Sequence, residues 1–321
     1  MTTSWLRIFF KKTSSLSSKI LVTGAAGFVG SHLVPFLRAD KTEVYSISPR
    51  SNPGIDFVLR SEQDEDGFLK ALQEVRPCAV VHLAGVMKDA DDEQFETVNV
   101  DYARTVLSCV ERFNKEIRTI LLGSVAEYGP LQNESRAFVE TDKPAPTTPY
   151  GKSKLAQTRL AQKYASRGCS TLILRPTNLV GPRQSSEFLL GKVISFLRGS
   201  DDRDLMYSET HLHTGPLDDE RDFIDVRVLC SAINAVCKGQ VPATGIVNVC
   251  SGMPTSLREI VRNAFEVASV SYAVVEHTPM DYVQSKNFAN PERFKRLFGY
   301  VPIIRWQSFL WEMLNQEQLV D

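Results

Sequence analysis

From Lys19 onward the chain alternates short apolar runs with longer stripes of helical period. "KILVTGAAGFVGSHLVPFL" opens as an apolar run, passes through a glycine cluster and continues as a stripe, which reads as strand, turn and helix. Pro35 sits inside that helix and is expected to bend or shorten it. "EVYSIS" (43–48) and "DFVL" (56–59) read as the second and third strands, and "FLKALQEV" (68–75) as an amphipathic helix. The run "AVVHLAG" (79–85) is a buried strand, followed by a helix pattern from about Gln94 to Phe113 and the strand "RTILLGS" (118–124). Another helix spans 149–166, then the strand "STLILRP" (170–176). Near-continuously apolar strands that alternate with helices predict an α/β fold, a doubly wound parallel sheet of Rossmann type covered on both faces.

Past residue 176 the alternation loosens. A polar, turn-rich stretch (198–223) precedes renewed order at "IVNVCSG" (246–252) and "LREIVRNAFEVA" (257–268). The expected organisation is a dinucleotide-binding domain over 19–176 and a smaller lobe over 177–321, some of whose segments return to the first domain. Residues 1–18 hold Arg and Lys, many Ser and Thr, and no acid. They read as an extension outside the fold, with a transit peptide or a start codon assigned too early as the alternatives.

Composition narrows the function. The 321 residues carry a formal net charge of −1, so no global positive field argues for nucleic acid. The apolar runs fall far short of the roughly 20 residues a membrane span needs. Six cysteines (Cys78, Cys109, Cys169, Cys230, Cys237, Cys250) lack CxxC spacing and histidine partners. That suits reduced thiols in a cytoplasmic protein better than disulfides or zinc, so no metal is expected.

Two clusters carry chemistry. The glycines of "TGAAGFVG", Gly24, Gly27 and Gly30, lie between strand and helix. There the first permits a tight turn, the second lets backbone N–H groups approach a pyrophosphate, and the third lets helix and sheet pack closely. Phe28 and Val29 would offer N–H groups at the helix's positive end. A glycine-rich turn without ligand is the plain alternative. The second cluster is "TTPYGKSKLA" (147–156): Thr148 can cap a helix and Pro149 suits its first position. Tyr150 and Lys154, at i and i+4, then share a face with Cβ atoms about 5–6 Å apart. A free phenol has a pKa of about 10, and a nearby ammonium favours its ionised form. An isolated YxxxK is noise; its weight comes from company.

That company is extensive. The chain resembles the extended short-chain dehydrogenase/reductases, the nucleotide-sugar epimerase/dehydratase family, over about residues 19–312. The resemblance rests on "TGAAGFVGSHL", "HLAG" (82–85), Asn99 in "TVNV", "GSVAEYG" (123–129), "PYGKSK" (149–154), "RPTNLVGP" (175–182), "RDFIDV" (221–226) and "VNVCSG" (247–252). It implies Tyr150 as proton donor or acceptor at the reacting oxygen, Lys154 as holder of the nicotinamide ribose and tuner of the phenol, and Ser124 as hydrogen-bond partner of the carbonyl or alkoxide. Leu83, Ala84, Gly85, Asn99 and Pro176 are the further cofactor contacts it implies. Val125, Ala126, Asn178 and Arg221 are those it places near the substrate. The helices at about 94–113 and 149–166 resemble the pair through which family members dimerise, which implies a homodimer.

Departures from the family pattern refine the expectation. NAD-preferring members end the second strand with a carboxylate, whereas this strand ends "SISPR", offering Ser48 and Arg50. Arginine there can meet a 2′-phosphate, so NADP(H) is favoured over NAD(H), with a solvated loop arginine as the alternative. Where the family often has an acid after strand three, this chain has Ser61, and Asp64 is a possible substitute. Dehydratases of the family need Asp-Glu after the serine; Val125 and Ala126 stand here, with Glu127 one residue off. What remains is one-way reduction of a keto group on a nucleotide-linked deoxysugar of the 4-keto-6-deoxyhexose type. A nucleotide-sugar epimerase and a non-catalytic cofactor-binding homologue are the alternatives. For Asn178 the plain reading is a loop-ordering amide, and for Arg221 a salt bridge to Asp222 or Asp225. A late phosphate-binding Arg of the family would fall near Met280, where none occurs, and the family's "DVRD" ends here in Val228. Lys192, His211, His213 and Lys286 read as ordinary surface residues.

Overall fold

A computed structural model of the chain describes residues 18–87, 90–131, 136–199, 211–271 and 273–315. The expected N-terminal extension and much of the polar stretch around 200–210 therefore lie outside the described residues. The first half contains β1 (Lys19–Thr23), α1 (Phe28–Ala39), β2 (Glu43–Ser48), β3 (Phe57–Val58), α2 (Glu65–Val75) and β4 (Ala79–His82). These are followed by α3 (Asp92–Gln94), α4 (Tyr102–Phe113), β5 (Arg118–Leu122), α5 (Pro149–Ala165) and β6 (Thr171–Pro176). The second half brings β7 (Asn178–Val180), α6 (Leu189–Gly199), β8 (His211–Thr214), β9 (Glu220–Asp225), α7 (Val226–Cys237) and β10 (Gly245–Val249). It closes with β11 (Pro254–Ser256), α8 (Leu257–Ala268), β12 (Ala273–Glu276), β13 (Lys286–Asn287), α9 (Glu292–Phe298) and α10 (Trp306–Asn315).

Among the described residues, seven strands form one parallel sheet in the order β10-β6-β5-β4-β1-β2-β3. The order reverses beside β1, and a crevice opens there, outside the carboxyl ends of β1 and β4. Every residue of β4 is buried, because helices cover both sheet faces. Ile20, Val22, Leu33, Leu37, Val81 and Leu174 pack on one side; Leu21, Ile47, Phe68, Leu72, Val80 and Val106 pack on the other. Each such side chain contributes about 1.5–3 kcal/mol of transfer free energy. A separate core joins α6, α8 and α10 through Val193, Ile194, Val261, Phe309 and Leu310. β9, flanked by β7, β11 and β13, forms a small sheet beside it. α7, β10 and α9 return to the large sheet.

The structure departs from the sequence expectation at two helices. Pro35 does not shorten α1, which runs twelve residues through it. A proline there leaves the Ser31 carbonyl without its helical N–H, and the Arg183 Nη2 donates to that oxygen at 2.8 Å instead. The helix expected from Gln94 is broken in character: α3 passes into a π-helix at Phe95–Asp101 before α4 begins.

Candidate functional site

The glycine turn follows β1 directly. Gly24 has φ +68°, and a Cβ there would lie 2.6 Å from the Ala84 nitrogen. A Cβ on Gly30 would come within 2.3 Å of the Gly24 carbonyl, so helix and turn approach as only glycine allows. Gly27, by contrast, is the exposed N-cap of α1, with no side chain capping it and no acid in the first turn. The N–H groups at Phe28, Val29 and Gly30 are left to an anion, and the positive end of a twelve-residue helix faces it. This cradle fits a dinucleotide pyrophosphate.

At the far end of β2, Ser48 Oγ accepts the Arg50 N–H at 3.0 Å. Arg50 is exposed, and no acid among the described residues holds its guanidinium. Asp64 is not an adenine-side substitute. It caps α2 by accepting the Gly67 N–H at 3.2 Å, and Arg60, through its N–H and guanidinium, holds its carboxyl far below the usual range. Ser61 accepts the Gln63 N–H at its hydroxyl and the Asp64 N–H at its carbonyl.

Beyond β4, Leu83, Ala84 and Gly85 form the crevice floor. The Thr23 hydroxyl accepts the Ala84 N–H at 3.2 Å and meets His82 Nδ1 at 2.8 Å. Burial, and then the Lys154 charge, pull His82 down to about 3, so it is neutral. A Cβ on Gly85 would lie 3.1 Å from Asn99 Oδ1 and 3.4 Å from Lys154 Nζ. Asn99, buried in the π-helix, accepts the Val86 N–H at 2.8 Å and donates to Val86 O and Ser153 Oγ at 3.0 and 2.8 Å. Its side chain is thus a clasp between the floor and α5.

α5 begins as the sequence suggests. Thr148 Oγ1 accepts the Gly151 N–H at 3.1 Å, and Pro149 takes the first position. The Tyr150 phenol, half-buried near the start of α5, lies within reach of the Ser124 hydroxyl, which favours its ionised form. Ser124 itself precedes a 3-10 turn at Val125–Tyr128 and accepts the Ala126 N–H at 3.1 Å. Lys154 is buried, and its Nζ donates to Leu122 O and Gln157 Oε1, both at 2.8 Å. The electrostatics correct one expectation. Burial pushes Tyr150 up to about 12, opposed by the Ser124 hydrogen bond, and Lys154 is not among the charges acting on it. Lys154 is itself drawn down to about 8 by burial, opposed by the Glu127 carboxylate. The ammonium spends its donors on protein acceptors, and the phenol keeps its proton.

Glu127 does not enter the crevice. Its Oε1 accepts the Ser124 N–H at 2.9 Å, and its Oε2 receives Arg175 Nε and Nη2 at 3.0 and 2.6 Å. Val125 is buried, and neither it nor Ala126, the two positions after Ser124, can move a proton for dehydration. The expected substrate positions lie farther along. Pro176 ends β6; Asn178, at the start of β7, donates to Asp222 O at 2.9 Å. Arg221 pairs with Asp219 at 2.7 Å and donates to Ser285, not to Asp222 or Asp225. Lys192 donates to His213 O, His213 meets His277, and Lys286 pairs with Glu220. His211 lies exposed on β8. The sequence reading missed the Glu127–Arg175 pair and Gln157. The only signal for Gln157 was a polar residue three positions after Lys154 on the buried side of α5.

A glycine cradle at a switch point, beside a serine, a tyrosine and a lysine gathered from β5 and α5, defines an NAD(P)-dependent enzyme built on a Rossmann-type sheet. Residues 20–250 match the model of the NAD dependent epimerase/dehydratase family, and the chain belongs to that family. It is 28% identical over 267 residues to the GDP-6-deoxy-D-mannose reductase of Pseudomonas aeruginosa, spanning 81% of this chain and 84% of that one. It is 31% identical to the dTDP-6-deoxy-L-talose 4-dehydrogenase (NAD(P)(+)) of Kitasatospora kifunensis, over 81% and 82% of the two chains. The fold matches the structure of RMD from Pseudomonas aeruginosa complexed with NADPH, with TM-score 0.79 at 24% identity over 92% and 97% of the chains. The UDP-glucose 4-epimerase of Thermus thermophilus, solved with NAD, superposes with TM-score 0.78 at 23% identity, over 92% and 98%.

Proposed function

We propose that the chain is an NADP(H)-dependent reductase of a keto group on a nucleotide-linked deoxysugar of the 4-keto-6-deoxyhexose type. The observation that carries this is the meeting of Tyr150 and the buried Lys154, one turn apart on α5, with the end of β5, where Lys154 Nζ donates to Leu122 O at 2.8 Å two residues before Ser124. Reduction needs a group that starts with a proton and gives it to the developing alkoxide. The bound cofactor supplies the hydride. Tyr150 Oη hands over the proton, Ser124 Oγ holds the substrate oxygen, and Lys154 offers positive charge to the nicotinamide ribose. The turning inward of Glu127 argues against elimination of water. The similarity to a GDP-6-deoxy-D-mannose reductase and a dTDP-6-deoxy-L-talose 4-dehydrogenase supports the substrate class.

NADP(H) is favoured over NAD(H) because β2 ends without a carboxylate and presents Ser48 and the exposed Arg50. The elements around β7, β9, α6, α8 and α10 serve as the substrate lobe, with Asn178 and Arg221 facing the sugar nucleotide. We place the enzyme in the cytoplasm, where six free thiols suit a reducing compartment, as a homodimer joined through α4 and α5. Purified protein mixed with NADPH and a panel of 4-keto-6-deoxy sugar nucleotides is expected to consume NADPH with at least one of them. Interconversion of sugar nucleotides without net NADPH loss would show an epimerase; cofactor binding without either reaction would show a non-catalytic homologue.

A further inference from the structure

Glu127 is a fully buried carboxylate at the back of the site, and the chemistry above does not use it. Burying such a group is costly, and an apolar pair of like volume is often no less stable than a buried ion pair. Its contacts are specific. One oxygen accepts the Ser124 backbone N–H, while the other is gripped by two nitrogens of Arg175. Arg175 is itself 1% exposed, its guanidinium lies 4.8 Å from the centre of the Tyr128 ring, and the Tyr128 hydroxyl donates to Asn248 Oδ1 at 2.8 Å. The carboxylate is therefore clamped from β6 and β10 against the end of β5. Ser124 is held at both ends: its N–H by Glu127, its Oγ by the Ala126 N–H. The hydroxyl keeps its own proton to donate, and Tyr150 is a group whose ionisation it favours.

We infer that Glu127 is a positioning residue, which aims the Ser124 hydroxyl at Tyr150 and holds a fixed negative charge behind the Lys154 ammonium. The inference rests on the ketoreductase reading of the site. Its electrostatic half agrees with the carboxylate raising both Lys154 and Tyr150. The other ionisable groups around Lys154 are Tyr150, which is protonated, and His82, which is neutral; Arg175 lies beyond Glu127. Asn99, Gln157 and the Leu122 carbonyl carry no charge.

Glu127→Gln keeps an oxygen for the Ser124 N–H and removes the charge. In protein carrying 15N-lysine, with the Lys154 signal assigned through Lys154→Met, the Lys154 titration midpoint is expected to fall below that of the wild type, as loss of the raising Glu127 charge requires. The high-pH limb of kcat should move down with it, lowering kcat at the wild-type midpoint by about fivefold if the midpoint falls by about one unit. Below the variant's midpoint, where Lys154 stays charged, NADPH affinity and KM should stay near wild type. An unmoved Lys154 midpoint with an unmoved kcat limb overturns the inference. So does a loss of kcat in proportion to lost NADPH binding with the midpoint unmoved, since that is the mark of a purely structural role. If Glu127→Gln alone does not fold, Glu127→Gln combined with Arg175→Met leaves no unpaired charge and is held to the same outcomes. The lysine titration needs no substrate, so an inactive wild type would sink the ketoreductase reading and leave this test standing.

Discussion

Charged residues are treated in opposite ways at the crevice and over the C-terminal lobe. At the crevice, Glu127, Arg175 and Lys154 are all sealed from solvent and every one has a fixed partner. Over the lobe, Arg258 lies 52% exposed between Asp218 and Glu276, and Arg227 lies between Asp225 and Glu312 at 35% exposure. Exposed pairs are worth about 0.2–1 kcal/mol, because water and salt already satisfy each partner. Breaking a buried pair from one side costs about 3–5 kcal/mol, since the survivor stays charged and unsolvated. The difference teaches that the same ion-pair chemistry stabilises little in one region and fixes geometry in the other.

The comparison can be broken at several strengths. Tyr150→Phe should lower turnover by about 10²–10⁴-fold, the loss of a general acid, with NADPH binding kept; steady-state kinetics near wild type would remove the crevice's chemical role. Arg175→Met leaves Glu127 buried and alone, so urea denaturation should show a loss of about 3–5 kcal/mol. A loss below about 1 kcal/mol would make the buried pair no different from those of the lobe. Arg50→Ala should weaken NADPH about tenfold or more, the scale of a hydrogen bond to a charged group, and leave NADH nearly unchanged. Equal effects in fluorescence titrations with both cofactors would end the phosphate assignment. Arg258→Ala should cost no more than about 1 kcal/mol in the same denaturation assay, and less still at high salt.

The fold was legible because its signals are local. Apolar runs in β1, β4 and β6 and the capped start of α5 follow from spacing and residue type alone. Strand ends were read too long: "AVVHLAG" pairs only as far as His82, because Leu83 to Gly85 leave the sheet to floor the crevice. The π-helix escaped notice, since one extra residue per turn hardly disturbs an apolar stripe. At the site, Tyr150, Lys154 and Ser124 could be named from order and company. Glu127 could not be aimed: its direction depends on Arg175, 48 positions later, and no local rule joins them. The same holds for the phenol's pKa, which burial raises against the Ser124 hydroxyl. Asp64 has no place that sequence alone can assign, and in the fold it caps α2.

Pro35 breaks the hydrogen-bond ladder of α1, and a guanidinium 152 positions along the chain occupies the gap. One turn away, His32 Nε2 sits 2.8 Å from the Pro182 carbonyl. The helix whose amino end faces the anion cradle is thereby laced, at its middle, to the segment that leads out of β7. The two walls of the cleft consequently cannot swing apart as free shutters: any widening must first unfasten those two stitches.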